Sequence, residues 1–304
     1  MIPLAAVIAV ATAVGLGAER RSHEAAERAA RGLLTTVLWV LLPIIVFFNI
    51  AALDLTVEIG AGVGFAYVAM AVTLGAAFAA GTYVLRLPRA SVGALMVAAA
   101  LANTGFLGLP FTVALFGFDE LPNALVYDIL VSSLALATVG FTVGALFGTR
   151  AEGARARLRT FLTRNPPLWA TAAGFLAPAL LAPDWAVDGS QLLALAILPI
   201  GFFAVGVTLA AEARERGVGL VPPLSAPVAW AVALKLLLPA AVLLGLSRLL
   251  LDVPDSYLTQ AGMASALSNI VIANEYGLDR RLIAGAILWS TALVVAAGVF
   301  AVLT

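Results

Sequence analysis

Residues 101–110 read LANTGFLGLP, and they lie in the middle of a long apolar segment. A helix that crosses a bilayer normally avoids an Asn, a Pro and repeated Gly within so few residues, because lipid offers no partners for the peptide groups that they release. Unwound backbone is tolerated at that depth only where protein or a water-filled cavity satisfies it. The stretch therefore predicts a broken helix that faces the interior of the protein.

The composition is that of an integral membrane protein. Hydrophobic residues make up 62% of the chain and charged residues 11%, with a mean hydropathy of +1.06, whereas soluble domains carry about 25% charged residues. The chain has no cysteine and a single histidine, His23, in a charged loop, which argues against thiolate chemistry and a zinc centre. No P-loop sequence is present. We expect no metal, no cofactor and no nucleic-acid partner.

Apolar segments of about 20 residues, the length that crosses a bilayer, recur along the chain. The first lacks the basic leading region of a signal peptide, so we expect it to be a spanning helix. The prediction is an all-α polytopic membrane protein with ten transmembrane helices. Spans 1 to 10 are placed at about residues 2–18, 33–52, 58–84, 91–117, 122–148, 166–183, 190–211, 225–250, 256–278 and 282–303.

Cationic residues fall in every second connection between the predicted spans. Of the 17 Lys and Arg residues, all but Lys235 and Arg248 lie in the odd-numbered connections, and acids such as Asp54, Asp119 and Asp252 lie in the even-numbered ones. Basic loops stay in the cytoplasm, so both termini are predicted to be extracytoplasmic. A prokaryotic cytoplasmic membrane is the expected location.

The longest basic loop, GTRAEGARARLRTFLTRNPP, divides the chain into two halves of five spans. We predict a first repeat at residues 1–149, a cytoplasmic linker at 150–165 and a second repeat at 166–304. An odd number of spans per half forces the halves into opposite orientations, the inverted repeat of many secondary transporters. Span 2 contains LLPIIVFF and span 7 contains ILPIGFFAVG, a weak similarity that chance also produces.

Polar residues at mid-bilayer depth mark spans 4 and 9. Span 4 runs from Arg89 to Asp119, which places Asn103, Thr104 and Gly105 near its centre. The matching span of the other half reads AGMASALSNIVIANEYG and carries polar side chains at the same depth, namely Ser265, Ser268 and Asn269. We predict that these two segments face each other.

Gly105, Gly108 and Pro110 are the predicted helix breakers, because proline lacks an amide donor and glycine unwinds at little cost. Two broken helices that face each other would present free N-termini with partial positive charge, which suit an anionic group. The predicted ligands of that group are Asn103, Thr104, Gly105, Ser268 and Asn269. The alternative is that the small residues only allow close helix packing and that Pro110 only kinks the helix.

Lys235, the one lysine, lies roughly in the middle of span 8. A cation there costs about 3 kcal/mol on insertion scales, so it needs a partner or a wet cavity. About ten residues, or ~15 Å of helix, separate it from the nearer end, which is a long reach for snorkelling toward the cytoplasm. We predict that Lys235 is a counter-charge to the substrate or a partner of Glu275 in the neighbouring span.

Asp128 and Glu275 are the acids near enough to the predicted site for a coupling role. Asp128 lies in the first turns of span 5 and Glu275 lies close to the cytoplasmic end of span 9, so neither is expected at mid-bilayer. This placement favours anion movement driven by the membrane potential. Asn49 and Gln260 are each expected to be a satisfied amide between helices.

Several segments together resemble the auxin efflux carrier family of membrane transporters. They are ALANTGFLGLPF, PIGFFAVGVTLA, the segment from Lys235 to Pro239, and ANEYG before a final span. The resemblance extends over essentially the whole chain, in order, and places it with the short-loop prokaryotic members of a superfamily that includes bile-acid, arsenite and riboflavin-type transporters.

The resemblance implies two inverted five-span repeats with crossed broken helices 4 and 9, similar to the bile-acid symporter and sodium/proton antiporter folds. Spans 1, 2, 6 and 7 would form a scaffold that dimerises, and spans 3–5 and 8–10 a moving transport domain. Asn103 and Thr104 would lie near the substrate carboxylate. Plant members read Pro-Asn-Thr at the first crossing and have further prolines at the second, whereas this chain has Ala102, Ala264 and Ser268-Asn269. Auxin itself is therefore not assumed to be the substrate.

The leading functional hypothesis is a secondary transporter that moves a small organic anion, a mono- or dicarboxylate, across the bilayer by elevator-type alternating access. A cation/proton antiporter on the same architecture is the second hypothesis, and it requires a carboxylate at mid-bilayer. A lipid-modifying membrane enzyme is the third, and it requires an acidic metal-binding cluster or a nucleophile–base pair, which the sequence lacks. We predict that the protein is not an enzyme.

Overall fold

A computed structural model of the chain describes residues 2–54, 56–149, 166–216 and 223–303. The predicted linker, residues 150–165, lies outside these described residues. Within them the chain is helical and has no β-strand, so the all-α prediction is confirmed. The helical segments are α1 Ile2–Arg21, α2 His23–Ala51, α3 Val57–Val84, α4 Arg89–Ala100, α5 Thr104–Phe116, α6 Phe118–Phe147, α7 Pro166–Leu176, α8 Asp184–Arg216, α9 Ala226–Leu249, α10 Asp255–Ala261, α11 Asn269–Tyr276 and α12 Arg280–Leu303.

Six of the described helices are long and apolar enough to cross a membrane: α2, α3, α6, α8, α9 and α12. Predicted spans 4 and 9 are each divided into two short helices, and predicted span 6 has 11 residues in α7. The chain is thus a multi-pass membrane protein, while the count of ten spans and the inverted repeat stay predictions.

Contacts sort the helices into two groups. α1, α2, α7 and α8 pack on one another, with α1 along α8 and α7 along α2. α9 packs against α3, α4 and α12, and α4 packs against α6. The groups meet where α8 touches α5 and α2 touches α6. The division into a scaffold and a transport domain that the resemblance implies, and the motion between them, stay predictions.

Glycine allows α1 and α8 to touch backbone to backbone. A Cβ on Gly15 would lie 2.2 Å from the carbonyl oxygen of Phe203, and a Cβ on Gly206 would lie 2.2 Å from that of Thr12. No side chain fits at either distance, so the close approach of the two helices depends on this pair of glycines, as in many membrane helix pairs.

Polar side chains also join this first group. The fully buried Asn49 of α2 donates its Nδ2 to the Ser190 hydroxyl of α8 at 2.9 Å, which agrees with the expected amide between helices. At the end of α1 the buried Glu19 carboxylate accepts from Arg214 Nε at 2.8 Å and lies 2.9 Å from His23 Nδ1. These bonds fix the registers of α1, α2 and α8 relative to one another.

Candidate functional site

The first helix break lies between α4 and α5. α4 ends at Ala100, Leu101 is extended with φ −92° and ψ 126°, and Asn103 leaves the helix with φ −83° and ψ 67°. The helix resumes at Thr104 with a π-helical turn. The unwound peptides are therefore those of residues 101–103.

The predicted breakers follow this break. Gly105 and Gly108 lie in the π turn, and Pro110 lies just after that turn, inside α5. The two glycines provide space instead: a Cβ on Gly108 would lie 2.0 Å from Gln260 Oε1, and one on Gly105 would lie 3.4 Å from an Asp128 oxygen. The helix break thus lies at residues 101–103, on the N-terminal side of Gly105, Gly108 and Pro110, because the unwound peptides pair with a segment distant in sequence.

That segment is the second break, between α10 and α11. α10 ends at Ala261, and α11 begins at Asn269 after an unwound stretch. Asn103 N donates to Ala264 O at 2.7 Å, and Ala266 N donates to Leu101 O at 2.9 Å. The two breaks thus form a short antiparallel bridge that satisfies the peptide groups where lipid has no hydrogen bonds to give.

A cavity of about 460 Å³ opens beside the crossing. It is bounded by both breaks and by parts of α2, α6, α8 and α12, and its lining is mostly apolar with a few polar groups, as small-molecule sites usually are. Of the residues predicted to bind an anion, Asn103, Thr104, Gly105 and Ser268 line it.

Asn103 offers the cavity a hydrogen-bond donor. The residue is 4% exposed, and its Nδ2 has no hydrogen-bond partner among the described residues. It immediately precedes α5, whose first amides lack helical acceptors and carry the positive end of the helix dipole. The site therefore combines an unpaired amide with the N-terminus of a helix.

Asp128 lies at the same place. Its carboxylate accepts a hydrogen bond from the Thr104 hydroxyl, faces Gly105 and lines the cavity. Asp128 thus contacts Thr104, the residue predicted at the centre of span 4, although the sequence predicts that the two lie at different depths. Asp128 is therefore close enough to the cavity for a coupling role.

Lys235 is buried outside the cavity. It is 1% exposed, and its Nζ donates to the carbonyl oxygen of Ala261, the last residue of α10, at 2.8 Å. A void of about 10 Å³ beside it is shared with Ala100, the last residue of α4. Because helix C-termini carry partial negative charge, the ammonium is placed as a counter-charge to the broken helices. The expected contact with Glu275 is not formed, since Glu275 is exposed at the end of α11. Lys235 does not line the cavity, and its role as a counter-charge to the substrate stays a prediction.

Asn269 links the second break to α4. Its Nδ2 donates to Ser265 Oγ at 3.0 Å and to Val97 O at 3.3 Å, and the residue is fully buried. It does not line the cavity, whereas its neighbour Ser268 does. Asn269 is thus placed to hold the crossing together.

Comparison with known proteins assigns this fold to a family. Residues 1–159 and 160–300 match the family described as membrane transport protein. The chain belongs to the auxin efflux carrier family. The carrier is also similar to two uncharacterized archaeal transporters. One, from Methanocaldococcus jannaschii, is 26% identical over 71% of this chain and 69% of its own length. The other, from Methanothermobacter thermautotrophicus, is 31% identical over 66% of this chain and 63% of its own length.

This carrier forms its crossing without the prolines of plant members. Ala102 pairs with Ser265 in the antiparallel bridge, and Ala264 supplies the carbonyl that accepts from Asn103. Hydrogen bonds between the breaks therefore maintain the unwound geometry with alanine at both positions.

Two polar residues that line the cavity are not among the predicted site residues, and a third polar residue differs from its prediction. Ser132 and Ser133 line the cavity, and their adjacency in the apolar run ILVSSLALA was an available signal. Gln260 is fully buried, and neither polar atom of its amide has a partner among the described residues, contrary to the expected satisfied amide. The break just after it removes the helical neighbours that would have bonded it.

Proposed function

We propose that the protein is a secondary transporter of a small organic anion, a mono- or dicarboxylate, bound in the cavity beside the crossing. The observation that carries the proposal is Asn103, whose buried Nδ2 is unpaired among the described residues and lines the cavity at the start of α5. An unpaired buried donor costs about 1–3 kcal/mol, and a ligand oxygen would remove that cost.

The size and chemistry of the cavity support a small organic ligand. At about 460 Å³ it falls within the range of small-molecule sites, about 300–1,000 Å³. The apolar walls suit a hydrocarbon part, and the helix N-terminus suits a carboxylate. This combination supports a small organic carboxylate as the ligand.

The two helix groups support alternating access by an elevator-type motion. α5 carries the ligand side of the cavity, and α2 and α8 of the first group form the facing wall. We propose that the second group moves against α1, α2, α7 and α8, and that the first group dimerises in a prokaryotic cytoplasmic membrane.

Replacing Asn103 with alanine is expected to weaken anion binding about 10- to 100-fold, because a hydrogen bond to a charged group contributes about 1.5–3 kcal/mol. A thermal-shift screen of organic anions on purified protein first finds a ligand, and titration of the variant gives the loss. Asn123→Ala is the matched control, since that amide bonds Glu120 outside the cavity. Equal affinity of Asn103→Ala and wild type would remove Asn103 from the site.

A cation/proton antiporter is the second candidate function, and Asp128 is the observation that favours it. Its carboxylate lines the cavity near the hydroxyls of Thr104 and Ser132, and hard cations prefer such oxygen ligands. Stabilisation by sodium or lithium chloride at constant ionic strength, with no response to organic anions, would select this function over anion transport.

The orientation of the chain is testable because it has no native cysteine. The basic loops predict that a cysteine introduced as Ala151→Cys reacts with an impermeant maleimide only from the cytoplasmic side. Asp54→Cys, in an acidic connection, is expected to react from outside. The reverse pattern would invert the proposed topology.

A further inference from the structure

Asp128 occupies the position that an anionic ligand would take. Its carboxylate bonds the Thr104 hydroxyl, lies against Gly105, and so sits at the first turn of α5. Asn103, with its unpaired Nδ2 among the described residues, lines the same cavity. A carboxylate at a helix N-terminus is favourable, so an ionised Asp128 already supplies the negative charge that this end of α5 attracts.

No other ionisable side chain shares the cavity with Asp128 among the described residues. The elements that pack against its turn of α6 do carry such groups, but these point elsewhere. Tyr67 donates to Leu130 O, and Tyr257 to Ile59 O. Three further ionisable residues of these elements, Glu58, Tyr83 and Asp255, are exposed. Tyr127, the neighbour of Asp128 in the same turn, packs on Tyr257.

Lys235 makes no ion pair with Asp128 among the described residues. Its ammonium bonds Ala261 O and lies in a small void that shares Leu101, Ala102 and Ser132 with the cavity, while Lys235 itself does not line the cavity. An anion that enters the cavity while Asp128 is ionised therefore meets a like charge that forms no ion pair among the described residues, in a site with mostly apolar walls where Coulomb repulsion is weakly screened.

We propose that Asp128 must be protonated before the anion binds, and that the protein moves one proton together with each anion. This inference rests on the proposed anion transport. The proton joins an Asp128 oxygen from water on one side of the membrane and leaves from the same oxygen to water on the other side. The protonated carboxyl keeps its acceptor for Thr104 and gains an O–H that can donate to the ligand. A monovalent anion is then carried with no net charge.

Binding measurements on the full-length purified protein test this coupling. The probes are benzoate and benzenesulfonate, which both stay ionised between pH 6 and 8.5, so the ligand itself does not titrate. Wild-type affinity is expected to fall with rising pH, approaching tenfold per pH unit once Asp128 is ionised in the free protein. Calorimetry in buffers of different ionisation enthalpy is expected to show uptake approaching one proton per anion in that range.

Asp128→Asn keeps the shape and the acceptor for Thr104 but cannot titrate. Its affinity is expected to be independent of pH, with no proton uptake. Asp119→Asn is the matched control, because Asp119 is an exposed acid at the start of α6, and it is expected to keep the wild-type slope.

The outcomes separate this inference from the proposed function. Wild-type binding of either probe without pH dependence or proton uptake overturns the inference and leaves anion binding in place, and so does a wild-type slope in Asp128→Asn. The pH dependence of wild-type affinity and the wild-type proton uptake remain informative even if Asp128→Asn does not fold. Failure of wild type to bind either probe, or any anion of the screen, at any pH overturns the proposed function and this inference together.

Discussion

Gly15→Ala is expected to destabilise the protein by about 1–3 kcal/mol, the usual cost of forcing extra volume into a packed contact. The added Cβ would lie 2.2 Å from the carbonyl oxygen of Phe203 and 3.0 Å from the amide nitrogen of Val207. Both are backbone atoms of α8, so no side chain can turn aside, and α1 must move away from α8. Thermal unfolding of the purified protein, followed by its tryptophan fluorescence, measures the loss.

Gly17→Ala is the control on the same helix. A Cβ there meets nothing within 4 Å, and alanine is preferred to glycine inside a helix by about 0.5–1 kcal/mol. Gly17→Ala is therefore expected to leave the midpoint unchanged or slightly raised. A Gly15→Ala midpoint as high as that of Gly17→Ala would show that α1 and α8 do not touch at Gly15 and Gly206.

Lys235→Ala is expected to abolish transport and to cost about 2–4 kcal/mol of stability, because the buried stem leaves a cavity and the Ala261 carbonyl loses its partner. Lys235→Met separates the two effects, since it keeps the stem and removes the charge. The lost charged hydrogen bond, about 1.5–3 kcal/mol, is offset by relief from burying a cation, about 2.5–3.5 kcal/mol. Lys235→Met is therefore expected to be within about 1 kcal/mol of wild type.

Transport by Lys235→Met is nevertheless expected to fall at least about tenfold, because the ends of α4 and α10 lose the counter-charge that holds them at the crossing. Uptake into proteoliposomes and thermal unfolding measure the two effects. Arg248→Ala, an exposed position on the same helix, serves as control and is expected to change neither. Full transport by Lys235→Met would show that the ammonium is dispensable. A loss of anion affinity with unchanged uptake at saturating anion would instead indicate that Lys235 contacts the substrate directly.

The two breaks were predictable from the sequence, but their positions were not. Asn, Gly and Pro in span 4 and Ser and Asn in span 9 predict the breaks, and the unwound residues between α4 and α5 and between α10 and α11 argue against the alternative of close packing in continuous helices. Which peptides unwind was decided by pairing between Leu101–Asn103 and Ala264–Ala266, a contact between halves of the chain that local breakers such as Pro110 do not report.

The same limit applies to the charged residues. The sequence predicts that Lys235 is buried, because neither end of its span is within easy reach of the side chain. Its hydrogen-bond partner is a backbone oxygen, and a backbone partner cannot be recognised from residue types. Counting residues along span 5 predicts that Asp128 and Thr104 lie at different depths in the bilayer, although the two side chains are in contact. The packing of α6 against the π turn of α5 brings Asp128 to Thr104, and only tertiary structure contains that information.

The bridge between the breaks makes one unit of four short helices. Parting it would leave two amides and two carbonyls unbonded inside the protein, and each buried polar group without a partner costs several kcal/mol. A ligand held by Asn103 is therefore expected to move together with α4, α5, α10 and α11 as one rigid unit. During this movement, the part of α2 and α8 that faces the ligand is expected to change.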